Sequence, residues 1–426
     1  MTTLADVLPE NSKTIDAIYE HYKKTGDAEP PREYLGMSEI GDECARKLWY
    51  TFHHCAKEDF PGRLYRLFET GDLEEIRLVK DLRDIGCDVN SVNEHGEQFG
   101  FSLLGGHFSG HMDGCALGIP EAPKTWHVLE FKTHNNKSFE KLKKSGVRFA
   151  KPKHYCQMQC YMGCSGMKRA LYLAVNKDTD EIYSERVEFD KEVFDLAVAS
   201  AREIIFNTTP PAPIASRPDD WRCTYCCARR LCFPTPGTPL LPIVQISCRQ
   251  CCYAEATEVG IGQWVCKKDS RSLTFGDQRN ACFNYLPIPH LFSGFVPVDF
   301  CDDTITIQDP KGTTVMYGKN GFDAASLMNL PLSAAVNSMV REAKKQEPDS
   351  TFTKCFTDDL YNKYVNADNV WEGTMEDFQK EWIPKLGEPI NMVRGFDYRL
   401  AEFRHGYAFI VKDNAKTGTF YSDIPF

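Results

Sequence analysis

WHVLEFKT, residues 126–133, decides how the chain reads. A short apolar run holding one acid and one lysine two positions apart reads as a β-strand. Alternation puts Val128, Glu130 and Lys132 on one face and Leu129 and Phe131 on the other. An acid and an ammonium group therefore point the same way. Upstream, HFSGHMDGCAL at 107–117 and FGFSLL at 99–104 also read as strands, and IPEAPK is the turn leading to Trp126. That turn allows Asp113 and Glu130 to meet at one end of two adjacent strands. Hard oxygen ligands so placed suit Mg2+ or Mn2+. Phosphodiester hydrolysis needs such a metal to activate water and a cation to offset developing charge, which Lys132 can supply. Taken alone, E-x-K is also the pattern of a solvated strand face.

The neighbouring segments add to the acids. GDLEEIRLVKDL opens a helix expected over 71–85 and closed by Gly86. Helical spacing sets Glu75 with Leu78, Val79 and Leu82, whereas Glu74 lies with Arg77 and Asp81. An acid on an apolar stripe wants a partner or a metal, so Glu75 is the expected third carboxylate, the alternative being a capping acid of the first turn. HYCQMQCYMGC, in a helix expected over 153–168, places Gln157 and Tyr161 one turn apart and facing one site. Further helices are expected at 37–55 and 191–206, and strands at 169–175 and 181–189. The expected fold class is α/β, a central mixed sheet flanked by helices.

Composition limits the function classes. The chain has 426 residues, 42% hydrophobic and 26% charged, with no apolar run of membrane-spanning length. Acidic and polar residues in MTTLADVLPENSKT argue against a secretory signal, so the expected location is the cytoplasm, or the host cytoplasm for a phage-encoded protein. A net charge of −10 excludes indiscriminate coating of nucleic acid. One basic segment stands out. KSFEKLKKSGVRFAKPK, 137–153, carries Lys137, Lys141, Lys143, Lys144, Arg148, Lys151 and Lys153 against Glu140, and reads either as a DNA-binding surface or as a solvated loop or helix face.

Gly71 with Glu75, Gly110 with Asp113, Glu130 with Lys132, and Gln157 with Tyr161 occur in an order that resembles the RecB-like branch of the PD-(D/E)XK nuclease superfamily. The resemblance covers about residues 36–235. It implies a restriction-endonuclease-like core in which Glu75, Asp113, Glu130 and the backbone carbonyl of Phe131 bind Mg2+ or Mn2+. Many relatives carry histidine where this chain has Glu75. His111, beside Asp113, reads as structural.

Eighteen cysteines, nine of them between Cys223 and Cys282, point in a reducing compartment to metal rather than to disulfides. Cys223, Cys226 and Cys232 leave one ligand short, and Cys44 lies far upstream in an expected helix. This arrangement resembles the iron–sulfur RecB-like nucleases, AddB-type and CRISPR-adaptation-type, and implies a [4Fe–4S] cluster on these four, with zinc as the alternative. Cys227, next to Cys226, is expected to point away. Cys248, Cys251, Cys266 and Cys282 read as a zinc-ribbon-like site, with free core thiols as the alternative and Cys252 able to replace Cys251. Proline-rich stretches at 208–218 and 234–242 mark boundaries. The expected organisation is a leader (1–35), a nuclease domain with an iron–sulfur staple (36–235), a cysteine-rich module forming a small knob (244–290) and an α+β C-terminal region (291–426) with strands at TITIQD, TTVMYG and GYAFIVKD and a helix near 331–346. The function so implied is a metal-dependent DNA exonuclease acting on linear or single-stranded DNA in recombination or end processing, in a phage or a bacterium. Its partners would be a recombinase, a single-strand-annealing protein or a helicase, since no Walker-type phosphate loop is present. The alternative is a DNA-end-binding scaffold that keeps the nuclease fold without cutting.

Overall fold

The computed structural model describes residues 12–233, 241, 246–282, 284–312, 314–319, 321 and 380, together with the backbone of strands at 370–373, 391–394, 398–402 and 408–413. The chain divides into two compact units, Met1–Arg229 with Val244–Ile288, and Arg230–Ile243 with Pro289–Phe426.

In the first unit, helix α1 (Lys13–Ala28) precedes the two-residue strand β1 (Leu35–Gly36), helix α2 (Ala45–Phe52) and the long helix α3 (Gly62–Asp84). Strands β2 (Asp88–Asn90), β3 (Gly100–Leu103), β4 (Phe108–His111), β5 (Gly114–Leu117) and β6 (His127–His134) follow, then helices α4 (Asn136–Ala150) and α5 (Pro152–Ser165). Strands β7 (Arg169–Asn176) and β8 (Ile182–Glu188) and helix α6 (Lys191–Phe206) complete the α/β layer, and the turn-like helix α7 (Arg229–Cys232) comes after the proline-rich stretch. A five-stranded sheet runs in the order β2-β5-β6-β7-β8, with β6 and β7 parallel and the other pairs antiparallel. Leu129 and Phe131 of β6 join Leu171, Leu173 and Val175 of β7 under Leu78, Val79 and Leu82 of α3. This apolar contact fixes β6 in the middle of the sheet and commits its other face, with Glu130 and Lys132, to the side of α5.

Two readings change. HFSGHMDGCAL is not one strand: β4 joins a separate three-stranded sheet, β1-β4-β3, and β5 joins the five-stranded one. The break has a steric cause. Gly114 adopts φ +147°, and a Cβ there would stand 2.7 Å from the carbonyl oxygen of Asn90. The chain thus turns directly after Asp113. Nor is 37–55 one helix, because the backbone there is committed elsewhere: Leu35 N–H donates to His107 O at 2.8 Å and Met37 N–H to Ser109 O at 2.9 Å. Helix α2 starts only at Ala45, with Cys44 as its N-cap, the sulfur accepting from Lys47 N–H at 3.4 Å.

The cysteine-rich segment packs within the same first unit. It forms a three-stranded antiparallel sheet, β9 (Ala254–Ala256), β10 (Trp264–Cys266) and β11 (Arg271–Leu273), followed by helix α8 (Phe275–Arg279). Arg249 ties it down. Its fully buried guanidinium donates to Phe52 O at 3.0 Å, Glu33 O at 2.8 Å, Glu33 Oε2 at 3.0 Å and Gln278 Oε1 at 2.7 Å, and lies over the rings of Phe52 and Trp264. Burial lowers its pKa to about 10, which still leaves it charged at neutral pH.

In the second unit, β12 (Val296–Cys301), β13 (Thr304–Gln308) and β14 (Thr314–Gly318) form an antiparallel meander. A further sheet has the order β15-β18-β17-β16, from β15 (Val370–Gly373), β16 (Asn391–Arg394), β17 (Tyr398–Glu402) and β18 (Ala408–Asp413). The helix expected near 331–346 lies outside the described residues. Among the described residues no helix is long and apolar enough to cross a membrane.

Removing the Arg249 guanidinium leaves two backbone carbonyls and the Gln278 amide oxygen without that donor and leaves Glu33 with Arg279 as its ion-pair partner. Arg249→Ala is expected to lose about 3–5 kcal/mol of unfolding free energy, as for other broken buried ion pairs. Urea unfolding checks this, and an unchanged midpoint would show that Arg249 does not anchor the segment.

Candidate active site

Register places the acids. Gly114 pairs with Leu129, so Asp113 enters the sheet beside Glu130, and its Oδ2 accepts the Phe131 backbone N–H at 2.7 Å. This bond holds the carboxylate at the strand edge. Glu130 is fully buried, and neither of its oxygens accepts a hydrogen bond of ordinary geometry. Its polar contact is an ion pair with Lys132, whose Nζ also donates to Phe131 O at 2.9 Å. The Phe131 carbonyl, an expected metal ligand, is thereby occupied by Lys132 in this structure.

The electrostatics join these groups to α3 and α5. Burial pushes Glu75 up to about 7, with Asp113 adding to the rise and Lys132 opposing it. Burial also raises Asp113, against Lys132 and the Phe131 amide. Glu130 is raised by burial, with Lys132 again opposing and Asp113 and Glu75 contributing. For Lys132, burial lowers the pKa but Glu130, Asp113 and Glu75 outweigh it, so the ammonium is held charged. Glu75, Asp113 and Lys132 thus all act electrostatically on Glu130.

From α5, Gln157 Nε2 donates to Tyr161 Oη at 3.3 Å, and both side chains are buried. The Tyr161 hydroxyl is pushed up by burial and then by the charge of Glu130. Gly110 makes room for it. A Cβ at Gly110 would stand 3.0 Å from both Cε1 and Oη of Tyr161 and 2.9 Å from Met37 Cβ, whereas one at Gly71 meets nothing within 4 Å. Packing thus explains the first of these motif glycines and not the second. His111 is exposed on β4.

Sequence reading missed three residues. The Tyr172 hydroxyl lies 2.9 Å from His134 Nε2 and 2.8 Å from His154 Nδ1. A hydroxyl donates only once, so at least one of the two histidines must donate to it, which couples their tautomers. Burial, reinforced by neighbouring lysines, lowers His134 to about 4 and His154 to about 2, so both are neutral near pH 7. The signal was present: His134 continues the Val128, Glu130, Lys132 alternation, and His154 lies one helical turn before Gln157.

The donor set suits a hard divalent cation. Glu130 offers two buried oxygens without hydrogen bonds, and Asp113 and Glu75 are held up in pKa by burial, a cost that a cation would offset. Among the described residues no three His, Cys, Asp or Glu side chains already converge as a metal cage.

The cysteines fall in two neighbourhoods. Burial raises the Cys223 thiol, followed by the charges of Asp220, Cys226 and Cys44, so two other expected cluster ligands act on it electrostatically. Cys232 ends α7, where the chain passes into the second unit. Cys227 does not point away: its thiol contacts that of Cys226 and lowers the latter's pKa, because the two sit in an irregular turn where successive side chains need not diverge. Cys248 is pushed up to about 12 by burial, then by Cys251, Cys282 and Cys266, and among the described residues no three of these cysteines already converge as a metal cage. Leu286 N–H donates to Cys251 Sγ at 3.5 Å. Cys252 instead donates to Leu286 O at 3.2 Å and Pro287 O at 3.4 Å, so it does not replace Cys251.

Of the basic segment, Lys137, Lys141, Lys144 and Arg148 are exposed on α4, Lys143 pairs with Glu181, and Lys151 donates to Ser138 Oγ. Lys153 is half-buried in the first turn of α5.

No protein-family model and no curated protein matches the chain. Among solved structures it is similar to one described as SSO0001, at 14% identity and a TM-score of 0.33, over 52% of this chain and 96% of that one. It is also similar to an alkaline exonuclease, LHK-Exo, from Laribacter hongkongensis, at 16% identity and a TM-score of 0.29, over 43% of this chain and 90% of that one. The same exonuclease in complex with dAMP matches at 14% identity and a TM-score of 0.30.

The two glycines give opposite expectations. Gly110→Ala should cost about 1–3 kcal/mol through overpacking against Met37 and Tyr161. Gly71→Ala should gain about 0.5–1 kcal/mol, since it removes a glycine from a helix interior where a methyl group fits. Thermal unfolding of both variants checks the contrast, and a shift of the same sign in both would show that these contacts do not set the cost.

Proposed function

We propose that the chain is a divalent-metal-dependent deoxyribonuclease acting on DNA ends, with Glu75, Asp113 and Glu130 as the acids that hold the metal and Lys132 as the cation beside them. One observation carries this reading. A fully buried carboxylate, Glu130, whose one polar contact is the ion pair with Lys132, sits on the central strand of a sheet and is raised in pKa by burial and by the charges of Asp113 and Glu75. A purely structural ion pair would not need the extra acids, and strongly perturbed acids gathered in one place are a mark of functional sites.

Mg2+ or Mn2+ bound by Glu75, Asp113 and Glu130 would polarise the phosphoryl oxygen and lower the pKa of the attacking water. The chain's own residues supply the rest. Lys132, held by Phe131 O and Glu130, offers its ammonium to the negative charge that develops on the phosphoryl oxygens. The Phe131 amide keeps Asp113 aimed along the strand edge. Gln157 and Tyr161 present an amide and a hydroxyl from α5 to position water or phosphate. Release of nucleotides from linear DNA with Mg2+ or Mn2+ tests the assignment. Asp113→Ala and Lys132→Ala should each lower the rate by about 10²–10³-fold. Equal cutting by wild type and both variants would overturn it.

The same reading assigns a [4Fe–4S] cluster to Cys44, Cys223, Cys226 and Cys232 and zinc to Cys248, Cys251, Cys266 and Cys282. Its support is the electrostatic action of Cys44 and Cys226 on Cys223 and the backbone N–H aimed at Cys251 sulfur, a contact that favours a thiolate. Protein purified without oxygen is expected to be brown and to contain both iron and zinc. Cys223→Ser should lose the visible absorption and keep the zinc, and Cys248→Ser should do the reverse. A colourless wild type holding zinc alone would overturn the iron–sulfur assignment.

A further inference from the structure

Helix α4 carries Lys137, Lys141 and Lys144 at steps of four and three residues, which sets them in one exposed stripe. Among the described residues none of the three forms an ion pair or a side-chain hydrogen bond. Lys143, by contrast, pairs with Glu181, and Arg148 with Asp190. The stripe ends at a kink, where Gly146 adopts φ +71° and Glu185 Oε2 accepts the Val147 N–H at 2.7 Å. Val147 and Ala150 are anchored in the core, so the short turn between them drives Phe149 outward, leaving it 75% exposed. A phenylalanine left in water forgoes about 1.5–3 kcal/mol of burial, which the fold does not recover here.

The positive potential does not stop at the kink. Lys141 acts on Lys151, Lys151 acts on His134 and His154, and Lys132 stands beside both histidines. Cationic groups thus influence one another in sequence from the unpaired helical stripe through Lys151 to Lys132, the partner of Glu130, and Phe149 is exposed on the same helix as the stripe.

We propose that the Lys137, Lys141 and Lys144 stripe and the ring of Phe149 form a track for single-stranded DNA, with phosphates on the lysines and a nucleobase stacked on Phe149. The proposal rests on the nuclease reading only for where the track leads, and it deepens that reading by naming the substrate form. Charge complementarity selects the occupant, because three unpaired ammonium groups on a chain of net charge −10 suit a polyanion. The ring selects single strands, because a base within a duplex is already stacked and cannot lie on an aromatic side chain.

Binding is measured in EDTA, so that no cutting is needed, with a labelled oligodeoxythymidylate and a blunt duplex of the same length. Phe149→Ala should weaken the single strand about tenfold, within the range for one base–aromatic stack, and change the duplex less than twofold. Phe149→Trp should restore single-strand binding. The double substitution Lys141→Gln with Lys144→Gln should weaken the single strand and flatten its log–log salt dependence by about 1.4. Phe149 is exposed, and an unchanged thermal midpoint in each variant confirms that folding is not the cause. Unaltered single-strand binding by Phe149→Ala, or equal loss on both probes, overturns the track. So does loss of self-association in Phe149→Ala without any effect on DNA. A wild type that binds the single strand but never cuts it removes the nuclease reading and leaves the track standing.

Discussion

The Glu130–Lys132 ion pair is the constraint on which the rest of the site depends. Two ions taken out of water cost several kcal/mol each, and their mutual attraction repays this only with good geometry and further hydrogen bonds. Lys132 has one such bond, to Phe131 O, and Glu130 has none. Such a pair adds little to stability, so the protein must hold it in place by other means. The apolar face of β6 does this: Leu129 and Phe131 are locked under α3, and strand alternation then forces Glu130 and Lys132 to the opposite face whatever their solvation cost. The hydrophobic core pays for an electrostatically expensive arrangement.

Geometry at the strand ends then gathers the other groups. Gly114 turns the chain immediately after Asp113, and the Phe131 amide fixes its carboxylate. Gly110 lets Tyr161 approach β4, which draws α5 and with it Gln157 toward the acids. Glu75 arrives on the same helix that supplies the core contacts, so the element that stabilises β6 also delivers the third carboxylate. Stability and function share their supports here, and substitutions at the supports would be felt in both.

Local patterns were the legible part. Alternation in 126–133 and the stripe of Leu78, Val79 and Leu82 follow from side-chain periodicity, which survives tertiary context because it is what tertiary packing uses. The unread part depends on partners far away in sequence. The division of 107–117 between two sheets turns on the close approach of Gly114 to Asn90, which a side chain would not allow, and the anchoring of the cysteine-rich segment turns on Arg249 meeting Glu33 and Phe52 some two hundred positions upstream. His134 and His154 form an intermediate case. Each sits at a spacing that marked it for the site, but only the Tyr172 hydroxyl between them gives that spacing a meaning.

The acidic balance of the chain sharpens what its few unpaired cations can do. An acidic surface repels DNA, and screening confines each charge to roughly 10 Å at ordinary ionic strength. Scattered lysines would therefore be lost against the background, whereas a stripe at helical spacing adds up within one screening length. Most basic residues of 137–153 could have been neutralised by neighbouring acids, and Lys143 and Arg148 are. That Lys137, Lys141 and Lys144 are not, and that cationic groups continue from them through Lys151 to Lys132, gives the potential a direction. On the proposed reading, a polyanion held on this stripe would be led toward the acids, where a divalent cation would convert local repulsion into attraction.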